Sequence, residues 1–209
     1  MILKSNIEIV LQRIANTIIL NSGLMQSMGL LDGKMGIALF LHSYSKINKN
    51  YVYSDFTENL LVEVSYSISH NTISANFANG LTGIGWGIRH LIKEKYIDAD
   101  ADDVLEEVNA SLRCIDHSDV ISDINFEYEK WEIALKALDY DKLDGIFNMG
   151  LYNMVFKNAN IEDTIILQKL ETIDIQNHID SIIKDVYRNQ NLYNGLAGAG
   201  LTLINYFLK

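Results

Sequence analysis

Four glycine-rich stretches with a shared order of residues constrain the fold of this chain more than any other feature. They occupy residues 32–38, 79–85, 144–150 and 194–200, and we call them frames 1 to 4. Each frame opens with Asp or Asn, continues with glycine, and has small residues three and five positions later, except for Asn148 in frame 3. The first glycines recur every 47 to 65 residues, which predicts a repeating unit of about two helices.

Each frame has the residues expected at the entrance of a helix. The opening residues are Asp32, Asn79, Asp144 and Asn194, and their side-chain oxygens could accept hydrogen bonds from the first free backbone N–H groups, as N-cap residues do. Four entrances facing one centre would also direct partial positive charge and unpaired N–H groups toward it. We therefore expect these four residues to face a shared cavity.

The glycines of the frames need a physical reason, because glycine weakens a helix interior by roughly 0.5–1 kcal/mol. We expect them to let neighbouring helix starts approach each other without intervening side chains, and packing alone would account for them. The repeat glycines are Gly33, Gly36, Gly80, Gly83, Gly85, Gly145, Gly150, Gly195, Gly198 and Gly200.

Apolar spacing elsewhere predicts an all-α chain in which outer and inner helices alternate. Inner helices are expected to begin near the first glycine of each frame. Outer helices are expected over residues 5–21, 55–70, 101–114 and 174–188, with Ser5 and Ser54 as N-caps of the first two. We predict one domain over residues 1–209, folded as an α/α toroid or a curved solenoid of about four helix pairs.

Composition narrows the possible partners. The net charge of −10 argues against binding nucleic acid or an anionic membrane surface, whereas a cationic peptide is compatible with it. No apolar run is long enough to span a membrane and we identify no signal peptide, so we expect a cytoplasmic protein. The only cysteine, Cys114, excludes an internal disulfide.

Residues 79–87 and 194–201 resemble the glycine repeats of the lanthionine synthetase C-like family. The resemblance implies an α/α toroid whose inner helices begin at such motifs. It also implies that active members bind zinc through two cysteines and a histidine, and activate a peptide cysteine thiolate for addition to a dehydrated Ser or Thr. The chain has four repeats where the family's toroid has seven, which indicates a shortened relative.

The zinc ligands of the family have no counterpart in the sequence. One zinc-bearing repeat of the family reads Cys-His-Gly, where this chain has Tyr193, Asn194 and Gly195. We therefore count Tyr193 among the cavity-facing candidates and expect no metal and no cofactor. Cys114 lies outside the frames, and we expect each histidine to lie at the surface or to form a local hydrogen bond. The histidines are His42, His70, His90, His117 and His178.

Three functional hypotheses follow from this pattern. The first is a non-catalytic module that binds a peptide or a modifying enzyme during peptide modification. The second is an enzyme, either a divergent cyclase that obtains metal ligands from a partner or a carbohydrate hydrolase that uses Asp32 and Asp144 as its carboxylate pair. The third is an assembly piece, in which four repeats complete a ring with another copy. Separately, we predict that residues 195–208 either close against residues 5–21 of the same chain or pack against a second chain as a symmetric dimer.

Overall fold

The described part of the chain is helical. The structure is a computed structural model that describes residues 2–70, 73–76, 79–113, 192 and 195–207. Within these ranges it contains seven α-helices, a 3-10 turn at Ser22–Leu24 and no strand, which confirms the all-α prediction. The helices are α1 (Ile2–Asn21), α2 (Lys34–Asn48), α3 (Tyr51–His70), α4 (Leu81–Lys93), α5 (Ala101–Val104), α6 (Glu106–Arg113) and α7 (Leu196–Phe207). Frame 3 and the helix predicted over 174–188 lie outside these ranges.

Three of the four frames open a helix as predicted. The helices α2, α4 and α7 each begin one residue after the first glycine of frames 1, 2 and 4. The carbonyl groups of Gly33, Gly80 and Gly195 accept hydrogen bonds from the N–H groups four residues later, at N···O distances of 3.3, 3.1 and 3.0 Å. Frames 1, 2 and 4 are therefore alike in backbone hydrogen bonding as well as in sequence.

The helices α2 and α3 form an antiparallel pair. Lys49 ends α2 in the left-handed conformation with φ of 56°, and Tyr44 then meets Tyr53 across the turn with ring centroids 4.8 Å apart. The predicted cap at Ser54 is wrong, because Asn50 already accepts a hydrogen bond from the N–H of Val52 at 3.1 Å and α3 begins at once. The cap predicted at Ser5 is also wrong, because that residue lies inside α1.

The three inner helices α2, α4 and α7 run parallel. Gly87 of α4 lies against the side chain of Met35 at the start of α2, whereas near the other end Lys46 is bonded to Glu94 at 2.6 Å. Leu192, which precedes α7, lies against Gly36 near the start of α2, and Gly200 of α7 lies against the ring of Phe40 farther along α2. The frames therefore open at the same end of the helix bundle, which we call the entrance end.

The first and last described helices pack together. Apolar side chains of α1 share one buried cluster with those of α7 and α2, and include Ile7, Leu11, Ile14, Ile18, Ile37, Phe40, Leu196, Leu203 and Ile204. This confirms that the last frame's helix closes against residues 5–21 of the same chain. None of the described helices is long and apolar enough to cross a membrane.

The outer helix predicted over 101–114 is interrupted at Leu105, whose fully buried side chain separates α5 from α6. The expected acidic start is confirmed, because Asp100 caps α5 by accepting a hydrogen bond from the N–H of Asp102 at 2.8 Å.

Candidate functional site

The loops before α2 and α4 fold back onto their helix starts in the same way. The carbonyl of Ser27 accepts the N–H of Lys34 at 3.0 Å, and the carbonyl of Ser74 accepts the N–H of Leu81 at 2.8 Å. In both loops the acceptor lies seven residues before the donor. The following residue of each helix bonds a carbonyl group seven residues earlier as well. The N–H of Met35 donates to the carbonyl of Met28 at 3.3 Å, and the hydroxyl of Thr82 donates to the carbonyl of Ala75 at 2.5 Å.

This arrangement corrects the prediction of unpaired N–H groups at a common centre. The first N–H group of α2 and that of α4 already have loop carbonyls as acceptors. An anion would have to displace those carbonyls before it could bind there. The first N–H groups of α2 and α4 are therefore not the unpaired donors that the sequence pattern predicts.

The first glycine of frames 1 and 2 leaves room for the backbone of the loop that precedes its helix. A Cβ atom on Gly33 would lie 2.3 Å from the backbone nitrogen of Gly29, and one on Gly80 would lie 2.3 Å from the carbonyl oxygen of Ser74. We expected these glycines to make room for neighbouring helix starts, but the atoms they admit belong to the preceding loop. Gly36 behaves in the same way, because its Cβ would lie 2.1 Å from the carbonyl oxygen of Leu30.

Two later glycines do admit a neighbouring inner helix. A Cβ on Gly87 would lie 2.7 Å from Cγ of Met35, and one on Gly200 would lie 2.1 Å from the ring of Phe40. The frame glycines Gly83, Gly85, Gly195 and Gly198 are buried, whereas Gly145 and Gly150 lie outside the described residues.

The opening residues of frames 1 and 2 are exposed at the entrance end and do not cap their helices. Gly33 and Gly80 occupy the N-cap positions, so Asp32 and Asn79 stand one residue too early to serve as caps. The backbone N–H of Asn79 is bonded to the side chain of Asn76 at 2.7 Å. Among the described residues, no hydrogen bond involves the side-chain oxygens of Asp32 or Asn79.

The other three predicted cavity-facing residues cannot be compared with Asp32 and Asn79. Asp144, Tyr193 and Asn194 lie outside the described residues, as do Cys114 and the remaining histidines His117 and His178.

An ion pair between a buried lysine and a half-exposed glutamate lies at the entrance end and was not anticipated from the sequence. Lys34 is the first residue of α2 and is buried, and its ammonium group bonds the half-exposed carboxylate of Glu63 on α3. A cation at a helix N-terminus opposes the helix dipole, so the carboxylate offsets an unfavourable placement. The equivalent positions in frames 2 and 4 hold Leu81 and Leu196. Lysine at a position where other frames have leucine was the sequence signal that could have identified Lys34 as an unusual buried residue.

The opposite end of α2 holds a second buried polar group. His42 is buried, its ring centroid lies 4.3 Å from that of Tyr96, and neither ring nitrogen has a hydrogen-bond partner among the described residues. Burial lowers the pKa of His42 to about 4, reinforced by Lys46 and His90 and opposed by Glu94. The ring is therefore neutral at pH 7. Our expectation of an exposed or locally bonded His42 is wrong.

The other described histidines differ from His42. His70 is exposed, and its Nδ1 lies 2.9 Å from the carbonyl oxygen of Tyr66, which confirms the expectation of a local contact. His90 is partly buried and stacks on Trp86 with ring centroids 5.2 Å apart. Within the described ranges, no three His, Cys, Asp or Glu side chains are placed so that they could hold a metal ion.

Comparisons with known proteins support the assignment indicated by the frames. Searches of curated proteins and of solved structures gave no match. A family model described as "Lanthionine synthetase C-like protein" matches residues 25–208, a span that includes all four frames. The chain therefore belongs to the lanthionine synthetase C-like family.

Proposed function

We propose that this chain is a non-catalytic member of its family that binds a cationic peptide at the entrance end, as an accessory module of peptide modification. The observation that carries the proposal is the exposure of Asp32 and Asn79 at the openings of two parallel, neighbouring helices. Neither side chain caps its helix, because Gly33 and Gly80 occupy the N-cap positions and loop carbonyls accept the first helical N–H groups. Within the part of the chain that the structure describes, no hydrogen bond occupies the side-chain oxygens of Asp32 or Asn79, which supports contact with a ligand.

The chemistry of these two side chains suits a peptide with basic residues. The carboxylate of Asp32 can accept charge-assisted hydrogen bonds from a lysine ammonium or an arginine guanidinium group. The carboxamide of Asn79 can both donate to and accept from a peptide backbone. The net charge of −10 would raise the rate at which a cationic peptide reaches the protein.

The donor set of the chain does not fit the zinc centre of the family. That centre uses two cysteines, and this chain contains one. Asp or Asn precedes the first glycine in every frame, where the zinc-bearing repeat has histidine. A catalytic zinc ion normally has three protein ligands drawn from Cys, His, Asp and Glu. We therefore derive no cyclisation step for this protein.

A carbohydrate hydrolase is favoured less. The general acid of such an enzyme needs a carboxyl group in an apolar environment, because burial is what keeps it protonated near neutral pH. Asp32 is exposed to solvent.

A binding titration tests the proposal. The probe is a fluorescein-labelled peptide of 20 residues that contains six lysines in a Ser, Thr and Gly background, and its counterpart has glutamate at the six positions. Fluorescence anisotropy should show binding of the lysine peptide, weakened about tenfold by combining Asp32→Asn with Asn79→Ala. The matched control is Asp103→Asn, which neutralises an exposed carboxylate on α5 and should leave binding unchanged. Equal loss in both variants would show that only total charge matters and would contradict the proposal.

A further inference from the structure

The outward face of α3 carries large apolar side chains that are exposed to solvent. Tyr51, Val52, Val62 and Tyr66 are between 60% and 82% exposed, and they are four of the seven exposed large apolar residues in the described part of the chain. Isolated exposed apolar residues are common, but their concentration on one helix indicates a contact surface. We call these four residues the α3 face.

The register of α3 explains why these side chains cannot turn inward. The buried positions Tyr53, Leu60 and Val64 form the inner stripe of the helix. At 100° per residue, Val62 and Tyr66 project from the opposite side. The hydroxyl of Tyr96 donates to the carbonyl of Ser54 at 2.8 Å and borders one flank of the helix. The α3 face therefore lies beyond the packing that holds α3 in place.

The charged side chains of α3 itself are all acidic, and one of them, Glu63, is paired with Lys34 of α2. The helix contains Asp55, Glu58 and Glu63 but no Lys or Arg. A solvated outer helix more commonly carries both signs, with acidic and basic residues paired four positions apart. Glu107 of α6 adds another carboxylate near the end of the helix, where it accepts a hydrogen bond from Ser69 at 3.1 Å.

The positions of these residues define what a complementary partner must carry. Tyr51 and Val52 form one apolar end of the face, and Val62 and Tyr66 form the other, about 15 Å away at 1.5 Å per residue. Asp55 and Glu58 lie between the two ends. A complementary surface has apolar side chains about three helical turns apart and basic side chains between them.

We propose that the α3 face docks a basic amphipathic helix of a partner protein. A helix supplies apolar and basic side chains at this spacing on one side, and it buries the exposed apolar groups against its own. Opposite charges then set its register. An anionic membrane is disfavoured because it would repel the carboxylates of α3. This surface is distinct from Asp32 and Asn79, so the inference goes beyond the proposed function.

A charge-swap experiment tests this inference with defined peptides. The probe is a fluorescein-labelled helix of 18 residues built from Ala, Leu and Lys, with leucine pairs ten residues apart and lysines between them. A matched peptide has glutamate in place of lysine. Val62→Lys should weaken binding of the lysine peptide about tenfold, whereas Val104→Lys, at an exposed valine of α5, should change it less than about twofold.

The double variant Asp55→Lys, Glu58→Lys should lose the lysine peptide and gain the glutamate peptide. These positions are exposed, and circular dichroism serves as the control that each variant is folded. Failure of the wild-type protein to bind the lysine peptide, or equal effects of Val62→Lys and Val104→Lys, would overturn the inference. Loss of binding in the Asp32→Asn, Asn79→Ala variant alone would place the probe at the entrance end. That result would support the proposed function and reject the α3 face.

Discussion

Replacing Gly200 by alanine tests whether the small residues of the frames are required for contact between inner helices. The added Cβ would lie 2.1 Å from Cε2 of Phe40 and 2.7 Å from two further ring atoms. The Phe40 side chain is fully buried, so its ring has no open space into which it could turn. Either α7 or the ring must shift by about 1 Å to restore ordinary van der Waals contact.

Two opposing effects set the size of the change. Overpacking of a filled core costs about 1–3 kcal/mol, whereas alanine in place of glycine favours a helix by about 1 kcal/mol. Because the approach of 2.1 Å is severe, we expect an overpacking cost of about 2–3 kcal/mol, and therefore a net loss of about 1–2 kcal/mol in unfolding free energy. For a domain of this size, this corresponds to a fall in Tm of about 2–8 °C.

Thermal unfolding followed by circular dichroism measures this effect. Gly23→Ala is the control, because a Cβ there meets no atom within 4 Å, and its Tm should stay within about 1 °C of the wild-type value. Phe40→Leu combined with Gly200→Ala should lose less stability than the two single changes together, since the smaller side chain relieves the overlap. A Gly200→Ala protein as stable as the wild type would refute the argument that this glycine is needed for helix contact.

Three further predictions concern charged and polar groups. The pKa of His42 is near 6.5 in the unfolded chain and about 4 in the folded chain, so lowering the pH from 6.5 to 4 should destabilise the fold progressively, by up to about 3 kcal/mol. In urea unfolding measured over a series of pH values, His42→Phe should flatten the dependence of the midpoint on pH across this interval, and an unchanged slope would contradict the lowered pKa of His42. Glu63→Gln should lower Tm more than Lys34→Met, because Glu63→Gln leaves a buried ammonium group with a weaker partner, whereas Lys34→Met removes the buried charge. A larger fall in Tm for Lys34→Met would contradict the claim that Glu63 compensates the buried charge of Lys34. Elemental analysis of the purified protein should find no stoichiometric zinc, and one zinc per chain that is lost in Cys114→Ala would restore the cyclase hypothesis.

Local features of the sequence were sufficient to predict where the inner helices begin. Glycine followed by an apolar run placed the starts of α2, α4 and α7 to within one residue, because helix entrances depend on neighbouring residues. The capping role assigned to Asp32 and Asn79 was wrong. The acceptors that replace them come from Ser27 and Ser74, through loops that fold back, and composition does not reveal such a path.

Contacts between segments that are distant in sequence account for the two buried polar side chains, Lys34 and His42, that the sequence analysis did not predict. Lys34 meets Glu63 only because α2 and α3 are antiparallel; lysine at a position where frames 2 and 4 have leucine is unusual but does not identify Glu63 as its partner. His42 is buried because Tyr96, beyond the end of α4, lies against its ring. In contrast, the contact between α1 and α7 was one of two alternatives predicted from the sequence, since the last helix is apolar over most of its surface and needs a partner.

The most direct test of the central claim measures binding and thioether formation in one reaction. The probe is a lysine-containing peptide that carries one dehydroalanine and one cysteine, incubated with the protein and added zinc. We predict a rise in anisotropy that is weakened by the Asp32→Asn, Asn79→Ala variant, with free thiol disappearing no faster than in the reaction without protein. Thiol loss accelerated by the wild-type protein, or no binding of the peptide at all, would contradict the account of a non-catalytic peptide-binding module.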